Sequence, residues 1–245
     1  MNRSEWLTPD WPAPPQVRAL MTTRSGGVSA GCFSSLNLGD HVGDDPLAVT
    51  ENRRRVAQVL PSMPAWLNQV HGVNVVVADD AGAGVDADAS LTRRASVVCA
   101  VMTADCLPVL FCDVKGRVVA AAHAGWRGLH AGVLERTVAA MDVPPGEVVA
   151  WLGAAIGPDA FEVGEEVRAA FVRDSASAAA AFKPGRAAGK WLADLYLLAR
   201  QRLAACGVTQ VYGGGLCTVG DPARFFSYRR DGQTGRMAAM VWLSP

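Results

Sequence analysis

Three residues of the sequence carry side chains that together bind transition metals. His71 and His123 are two of four histidines in the chain, and both stand close to a glycine. Cys106 follows an apolar stretch, residues 96–102, that predicts a buried strand. Two imidazoles and one thiolate suit zinc. A site with three protein ligands keeps a fourth position open for water or substrate, as catalytic zinc sites do.

The spacing of these three residues does not by itself predict a metal site. They lie far apart in the sequence, unlike the ligands of short C-x-x-C motifs. In the other interpretation, the two histidines are hydrogen-bonded turn residues and Cys106 is a small core residue, as free cysteines usually are. The spacing alone favours that interpretation. A metal site requires three strand ends to meet at one edge of a sheet, where sites of α/β proteins are usually assembled.

The composition sets bounds on the partners of this protein. The chain has 245 residues, of which 50% are hydrophobic, so it can bury a large core. Its 23 basic and 23 acidic residues give no net charge, and we therefore expect no nucleic acid and no membrane as partner. Residues 1–16 form a Pro-rich segment without the apolar core of a secretion signal, so the six cysteines are expected to be thiols in the cytoplasm.

The hydrophobic pattern predicts one mixed α/β domain over residues 1–245, with mixed β-sheets flanked by helices. Asp44-Asp45-Pro46 is typical of a helix start. The expected strands include residues 17–23, a hairpin of residues 108–114 and 117–122 that ends at His123, and a last pair at residues 225–228 and 237–243. Single helices are expected over residues 126–141 and 191–206. The Ala-, Ser- and Gly-rich residues 175–190 predict a mobile surface loop.

Several motifs carry a resemblance to a known family, which has been called the YfiH, laccase-domain, polyphenol oxidase or peptidoglycan-editing-factor family. Three segments resemble its signature segments: Asn68-Gln69-Val70-His71-Gly72, Thr103-Ala104-Asp105-Cys106-Leu107-Pro108 and His123-Ala124-Gly125-Trp126-Arg127-Gly128. Further matches are Thr23-Arg24-Ser25-Gly26-Gly27, Leu36-Asn37-Leu38, Ile156-Gly157-Pro158 and Phe226-Ser227-Tyr228-Arg229-Arg230-Asp231. The resemblance extends over residues 17–241, almost the whole chain.

The resemblance implies a fold, a reaction and a metal. The family fold is an α/β arrangement related to cysteine hydrolases of the deamidating-toxin type. Family members are described as purine nucleoside phosphorylases that act on adenosine, inosine, guanosine and methylthioadenosine with inorganic phosphate, with some adenosine deaminase activity. The same resemblance implies that His71, Cys106 and His123 hold zinc and are the catalytic residues. Copper could occupy the same ligands.

Five residues are candidates for binding the substrates. Arg24 and Ser25 lie in a glycine-rich loop whose N–H groups and guanidinium would match phosphate oxygens, unless Arg24 is only a solvated loop residue. Asn37 could contact the ribose or the base, or it could fix a turn. Arg127 lies close to the His123 end of a strand. Arg229 leads into a loop that could reach the same anion, or it could be an exposed turn residue. Arg24 is the first candidate for phosphate.

Two acidic residues could support the ligands. Asp105 directly precedes Cys106 and could accept a hydrogen bond from a ligating imidazole, as metal sites require, or it could cap the end of a strand. Asp88 could face the site, but its loop of alternating aspartates favours a capping role. The sequence leaves both pairs of alternatives open.

Three rival functions use the same residues differently. Cys106 could be a thiolate nucleophile with His71 or His123 as its base, and it could then cleave an amide in peptidoglycan editing. A binding protein with a structural zinc would need a fourth ligand, for which Cys99 and Cys112 are the nearest in sequence. A multicopper oxidase needs more imidazoles than four histidines provide. Oxidase chemistry is therefore the least favoured interpretation.

Overall fold

The computed structural model describes residues 6–79, 81–82 and 84–245. Residues 1–5, the start of the Pro-rich segment, lie outside this description. The helices are α1 (Pro46–Ala57), α2 (Trp126–Ala131), α3 (Val133–Ala140), α4 (Glu165–Asp174), α5 (Leu195–Ala205) and α6 (Tyr228–Asp231). Shorter 3-10 helices occupy Gly31–Phe33, Pro145–Glu147 and Ala176–Ala181. In the described residues, every helix is too short or too polar to cross a membrane.

The strands form three sheets. In chain order they are β1 (Val17–Met21), β2 (Val75–Val77), β3 (Ala89–Thr92), β4 (Val98–Thr103), β5 (Leu107–Asp113), β6 (Val119–Ala124), β7 (Val148–Leu152), β8 (Glu162–Gly164), β9 (Phe182–Pro184), β10 (Lys190–Ala193), β11 (Gln210–Gly213) and β12 (Met237–Leu243). The largest sheet is mixed and has the order β11-β7-β5-β6-β3-β2. Two antiparallel sheets have the orders β1-β12-β4 and β8-β10-β9.

The six-stranded sheet separates two hydrophobic cores. Successive side chains of a strand point to opposite faces, so β5 sends Val109 and Phe111 to one core and Leu110 and Cys112 to the other. The first core lies between this sheet and helices α2, α3, α4 and α5. Because both faces of β5 are covered, its sequence is apolar from Leu107 to Cys112 instead of alternating with polar residues.

The sheet β1-β12-β4 covers the second face of the large sheet. Its middle strand β12 sends Ala239 and Val241 into the core shared with the large sheet. The alternate residues Ala238 and Met240 point into a third core, where Val56 of α1 packs. The domain is therefore built of four layers: helices, the six-stranded sheet, the three-stranded sheet, and α1 with its loops. This confirms the expected mixed α/β domain with helices flanking mixed sheets.

Most expected elements are present, but two of the expected helices differ from their predictions. Asp45 caps α1 through its side chain, and the hairpin β5–β6 forms where it was expected. The single helix expected over residues 126–141 is divided at Gly132, whose φ of 100° is left-handed and cannot continue an α-helix. The helix expected over residues 191–206 starts only at α5, because Lys190–Ala193 is strand β10.

Residues 175–190 and 225–228 differ from their expected secondary structure. The prediction of a loop over all of residues 175–190 is wrong, because they contain the 3-10 helix Ala176–Ala181 and strand β9, which bury small side chains and Phe182 in the first core. The mobility expected of this segment stays a prediction. Small alanines pack well there although their hydrophobic signal in the sequence is weak. The strand expected at 225–228 is also wrong, because Ser227 caps the short helix α6.

Candidate metal centre

One edge of the six-stranded sheet brings together four residues that are distant in sequence. Cys106 directly precedes β5, and His123 lies near the end of β6, which is antiparallel to β5. Asp88 directly precedes β3, which is antiparallel to β6 and therefore starts where β6 ends. His71 lies in the turn before β2, which runs parallel to β3. The sheet topology thus collects all four side chains at one edge.

His71, Cys106 and His123 form a cluster of the size that one metal ion bridges. Their donor atoms all lie within 4.8 Å of one another, and Sγ of Cys106 is 3.8 Å from Nε2 of His71. The two imidazole ring centres are 4.8 Å apart, with the rings at 76°. In a tetrahedral zinc site the donor atoms lie about 3.5 Å apart, as follows from the zinc–ligand bond lengths. His123 is buried and His71 is exposed, so the cluster opens to solvent on the His71 side.

Asp88 positions both His71 and His123 through hydrogen bonds. Its Oδ1 accepts a hydrogen bond from Nδ1 of His123 at 2.8 Å and from the backbone N–H of His71 at 3.0 Å. Its Oδ2 accepts from the backbone N–H groups of Gly72 at 2.6 Å and Val70 at 3.2 Å. These bonds hold His71 in its left-handed conformation, φ 59°, which is unfavourable for a residue other than glycine. Because Asp88 keeps the proton on Nδ1 of His123, Nε2 is free to bind a metal.

Of the two roles considered for Asp105, the structure does not support acceptance of a hydrogen bond from a ligating imidazole. Its Oδ1 accepts a hydrogen bond from the hydroxyl of Thr218 at 2.5 Å, and its Oδ2 accepts from the backbone N–H of Arg229 at 2.6 Å. These two hydrogen bonds hold later segments of the chain, at Thr218 and Arg229, against the start of β5. The carboxylate that accepts from an imidazole is therefore that of Asp88, which the sequence favoured only as a loop cap.

Burial and charge act in opposite directions on the pKa values of the cluster. Burial by itself raises the pKa of Cys106, but the positive charge and hydrogen bonds of His123 and His71 lower it below the usual value of a thiol. For His123, burial lowers the pKa, while the Cys106 thiolate and the Asp88 carboxylate raise it above its usual value. The arrangement thus favours a thiolate, the form of cysteine that binds metal, and a divalent cation would displace the proton from Nε2.

Two glycines let helix α2 start directly against the cluster. A Cβ atom at Gly125 would lie 3.0 Å from Sγ of Cys106 and 2.8 Å from Cδ2 of His71. A Cβ atom at Gly128 would lie 2.8 Å from the backbone oxygen of Gly72. All three distances are shorter than an ordinary carbon contact, so glycine at both positions allows this close approach.

A cavity of about 450 Å³ opens onto the cluster. Its wall combines the three potential metal ligands with the apolar or aromatic side chains of Ile156, Phe161 and Tyr228. Two guanidinium groups, from Arg229 and Arg236, complete it. A concave apolar wall with a few converging polar groups is typical of a small-molecule site.

The donor set fits zinc with one open position. Over the residues that the structure describes, no fourth His, Cys, Asp or Glu joins the group. Cys99 and Cys112, the nearest cysteines in sequence, lie in the core between the two sheets. Burial raises the pKa of each of these thiols to about 12. They are therefore poor ligands, and the arrangement does not support a closed structural zinc site.

Comparison with known proteins identifies the family of this chain. A sequence model of the family described as multi-copper polyphenol oxidoreductase laccase matches residues 18–244. The chain belongs to this family. It is 62% identical over 238 residues to a purine nucleoside phosphorylase of Pseudomonas aeruginosa, covering 97% of this chain and 98% of the relative. It is 56% identical over 243 residues to purine nucleoside phosphorylase YfiH of Escherichia coli (strain K12), covering 98% and 99%. The crystal structure of Neisseria meningitidis protein NMB0706 superimposes with a TM-score of 0.95 at 59% identity, covering 98% and 100%.

The resemblance to the YfiH family that the motifs indicate is thus confirmed. The laccase description of the family suggests several coppers, but the chain holds four histidines in all. His41 lies on the cavity wall outside the three-ligand group, and His130 pairs with Asp174 on the helical side of the domain. In this member of the laccase family, the described residues include one group of three side chains that could hold a metal ion.

Of the five predicted binding residues, the described cavity wall includes Arg229 alone. Arg24, the first candidate for phosphate, donates hydrogen bonds to the backbone oxygens of Ser34 at 2.9 Å and Pro222 at 3.0 Å. Its guanidinium also stacks on the ring of Phe226, with 4.7 Å to the ring centre. These contacts fasten two loops together, and they do not support a role for Arg24 in phosphate binding.

Ser25, Asn37 and Arg127 also lie outside the described cavity wall. The backbone N–H of Ser25 donates to the hydroxyl of Thr23. Asn37 is buried, and its side-chain amide is bonded to neighbouring backbone groups and to Asp44, so it fixes a turn, the second of the two roles considered for it. Arg127 is exposed and stacks on the ring of Trp126, with 4.5 Å to the ring centre.

The cavity wall includes residues that the sequence analysis missed. Arg236 and Thr103 stand at paired ends of β12 and β4, a long-range pairing that no local pattern reveals. Gln69 also lines the cavity, and its amide is bonded to both backbone groups of Met102, at 2.8 and 2.7 Å. Gln69 belongs to the Asn68–Gly72 signature segment, so the resemblance could have drawn attention to it.

Proposed function

We propose that this protein is a zinc-dependent purine nucleoside phosphorylase. The observation that carries the proposal is the His71–Cys106–His123 group, whose donor atoms lie within 4.8 Å of one another at the wall of a cavity. The proposal is further supported by the relatives that bear this name at 62% and 56% identity. The substrates are purine nucleosides, namely adenosine, inosine, guanosine and methylthioadenosine, together with inorganic phosphate.

The residues of the cavity match the needs of phosphorolysis. An oxygen of hydrogen phosphate forms a bond to C1′ of the ribose while the bond from C1′ to the purine nitrogen breaks. The electron pair of the broken bond leaves with the base, and the proton of hydrogen phosphate ends on the base. The exposed aromatic ring of Tyr228 offers a flat face for a purine, and the arginines of the wall offer paired donors for phosphate.

His71, Cys106 and His123 would hold the zinc, and Asp88 orients the two histidines through its four accepted hydrogen bonds. Bound there, zinc supplies Lewis-acid chemistry. Copper is the second candidate metal, because it binds the same donors more tightly than zinc. Since all six cysteines are free thiols in the described structure, we propose that the protein works in the reducing cytoplasm.

The test is the cleavage of adenosine with and without phosphate, followed by chromatography and metal analysis. We expect adenine and ribose 1-phosphate only when phosphate is present, and about one zinc per chain. Cys106→Ser should lose more than about 100-fold in activity together with its zinc, because even the outer partners of zinc ligands are worth 10–100-fold. The matched control is Cys32→Ser, at an exposed cysteine outside the cavity wall.

Other products would contradict the proposal in distinct ways. Free adenine without phosphate would mean hydrolysis. Inosine as the sole product would mean that adenosine deamination, expected here at most as a side activity, is the main reaction. If no purine nucleoside reacts, and metal-free protein cleaves amides through Cys106, the amidase interpretation replaces the phosphorylase.

A further inference from the structure

A half-buried guanidinium faces the cavity without a carboxylate partner. Arg236 directly precedes β12, and its Nη1 donates hydrogen bonds to the backbone oxygens of Thr234 at 3.0 Å and Gly235 at 3.1 Å. Within residues 6–79, 81–82 and 84–245, its Nε and Nη2 groups have no protein acceptor, and the side chain forms no salt bridge. Since Arg236 lines the cavity, these donors remain for a ligand.

A second residue of the cavity wall has a buried hydroxyl without a partner. Thr103 is 1% exposed, and its Oγ1 forms no hydrogen bond to any described residue. The register of β4 and β12 pairs Thr103 with Met237, the residue after Arg236, and both Thr103 and Arg236 line the cavity. An unpaired buried hydroxyl is unfavourable, so a ligand with hydrogen-bonding oxygens would satisfy it.

A second guanidinium, that of Arg229, is fixed on the cavity wall. Its backbone N–H is bonded to Asp105, and its Nη1 donates to the backbone oxygen of Glu162 at 2.8 Å. The guanidinium stands over the ring of Phe161, with 5.4 Å to the ring centre. The other N–H groups of the Arg229 guanidinium therefore remain as donors at a fixed position on the cavity wall. Asp105 also lines the cavity, but both of its oxygens already accept hydrogen bonds.

The electrostatics favour an anion beside Arg236. Burial lowers the pKa of Arg236, against the raising influence of Cys106 and Asp105, so the protein itself compensates the buried charge incompletely. Burying a cation is unfavourable unless an opposite charge and hydrogen bonds accompany it. Phosphate supplies both, and the planar guanidinium binds two of its oxygens in parallel.

We propose that Arg236, Arg229 and Thr103 form the binding site for inorganic phosphate, with Arg236 as the main anchor. This inference rests on the proposed function, in which phosphate is the second substrate. It replaces Arg24 and Arg127 as phosphate ligands. Thr103 lies in the three-stranded sheet and Arg236 directly precedes its strand β12, whereas the metal cluster lies at the edge of the six-stranded sheet, so the phosphate and the metal would be held by residues from two different sheets.

The experiment compares phosphate binding and kinetics in matched arginine variants. Inorganic phosphate is titrated into the zinc-loaded protein by calorimetry, and KM is measured for phosphate and for adenosine. We expect Arg236→Gln to weaken phosphate binding and raise the phosphate KM by about tenfold to a hundredfold, the usual worth of a charge-assisted hydrogen bond. Arg236→Lys should lie between this variant and the wild type, because it keeps the charge and loses the paired donors.

The controls separate a phosphate site from a general loss of structure. Zinc content and the adenosine KM should stay within about threefold of the wild type in Arg236→Gln, a change that corresponds to well under 1 kcal/mol. Arg127→Gln, an exposed arginine outside the described cavity wall, should bind phosphate like the wild type. Thr103→Val should weaken phosphate binding, and Thr103→Ser should restore it.

The possible results distinguish this inference from the proposed function. If Arg236→Gln binds phosphate like the wild type while adenosine cleavage depends on phosphate, the inference is wrong and the function stands. If Arg236→Gln loses phosphate binding but no nucleoside reacts in the wild type, the anion site stands and the function is wrong. Should Arg236→Gln fail to fold, Arg236→Lys and Thr103→Val carry the test, and unchanged phosphate affinity in both overturns the inference.

Discussion

Asp88 shows how much one side chain determines at this site. A carboxylate only accepts hydrogen bonds, and the two oxygens of Asp88 accept four N–H groups from residues 70–72 and 123. One of these donors is an imidazole that faces the metal position, and three belong to the backbone that carries the other imidazole. The positions of both histidines therefore depend on the negative charge and the acceptor geometry of this residue.

We expect Asp88→Asn to weaken zinc binding by about 10- to 100-fold, the usual cost of losing an outer partner of a metal ligand. The amide nitrogen of asparagine would face one of the N–H donors and repel it. The measurement is competition for zinc with a chromogenic chelator. Asp86→Asn is the matched control, because Asp86 lies in the same loop and accepts from Asn68 instead of a histidine. Equal zinc affinity of the two variants would contradict this role.

The metal ligands could be proposed from the sequence, but their partners could not. His71, Cys106 and His123 combine rare residue types with motifs, and the structure brings their donor atoms together. The local sequence around Asp88 is the same as that of a capping aspartate. Its hydrogen-bond partners depend on the antiparallel pairing of β3 and β6, which a local pattern does not reveal. Arg236 reaches the cavity through the pairing of β12 with β4, a contact between strands far apart in the chain.

Among the structural elements, the start of α2 is fitted most tightly to the cluster. We expect Gly125→Ala to push the thiol of Cys106 and the ring of His71 apart, because its Cβ would lie 3.0 Å and 2.8 Å from them. Zinc content and activity should fall together while the circular dichroism spectrum stays unchanged. Gly146→Ala is the control, since a Cβ there meets no atom within 4 Å. Full zinc occupancy in Gly125→Ala would show that the cluster tolerates the extra carbon.

The turn between β5 and β6 depends on a buried carboxylate. Asp113 is fully buried and accepts hydrogen bonds from the backbone N–H groups of Arg117 at 2.5 Å and Val118 at 3.0 Å, and from Nε of Arg117 at 2.7 Å. Burial by itself raises the pKa of Asp113, but the hydrogen bonds and the charge of Arg117 hold it below its ordinary value. The folded state therefore favours the ionised form.

This lowered pKa predicts a pH-dependent contribution to stability. The contribution is fully present above the unfolded pKa of about 3.9 and is lost as the pH falls through the lower folded pKa. Asp113→Asn should be less stable than the wild type at pH 7, and the difference should shrink below about pH 4, where this carboxylate takes up a proton in the unfolded chain before it does so in the folded protein. Urea unfolding at pH 7 and pH 3 measures it. A difference that is the same at both pH values would contradict the linkage.

Helices and strands with a strong hydrophobic period could be predicted from the sequence. Elements that depend on a single residue or on packing could not. Helix α1 and strands β5, β6 and β12 match their hydrophobic patterns. Gly132 interrupts a helical pattern that is otherwise continuous, since its left-handed conformation is chosen by the packing of α2 and α3. Residues 176–184 fold because the first core covers them, and their own side chains give little signal.

For the molecule as a whole, a bound metal should contribute to stability. The three ligands are brought together only by the folded six-stranded sheet, so zinc binds the native state in preference to the unfolded chain. At a free concentration 100 times its dissociation constant, a ligand adds about 2.7 kcal/mol. Removal of zinc with a chelator should therefore lower the Tm of the wild type, and it should not change that of Cys106→Ser. An unchanged wild-type Tm would show that the cluster binds no metal tightly.

The central position of β12 in the three-stranded sheet affects how the protein folds during its synthesis on the ribosome. Strands β1 and β4 both hydrogen-bond to β12, and β12 follows all other described strands in chain order. The apolar strand β4 therefore waits unpaired until β12 has been made, a condition that slows folding and invites aggregation. Digestion of stalled nascent chains that end before residue 237 should cut at β4, whereas chains extended far enough to bring residues 237–243 out of the ribosome should resist. The cluster edge could thus form early, while the arginine side of the cavity forms only after β12 has been made.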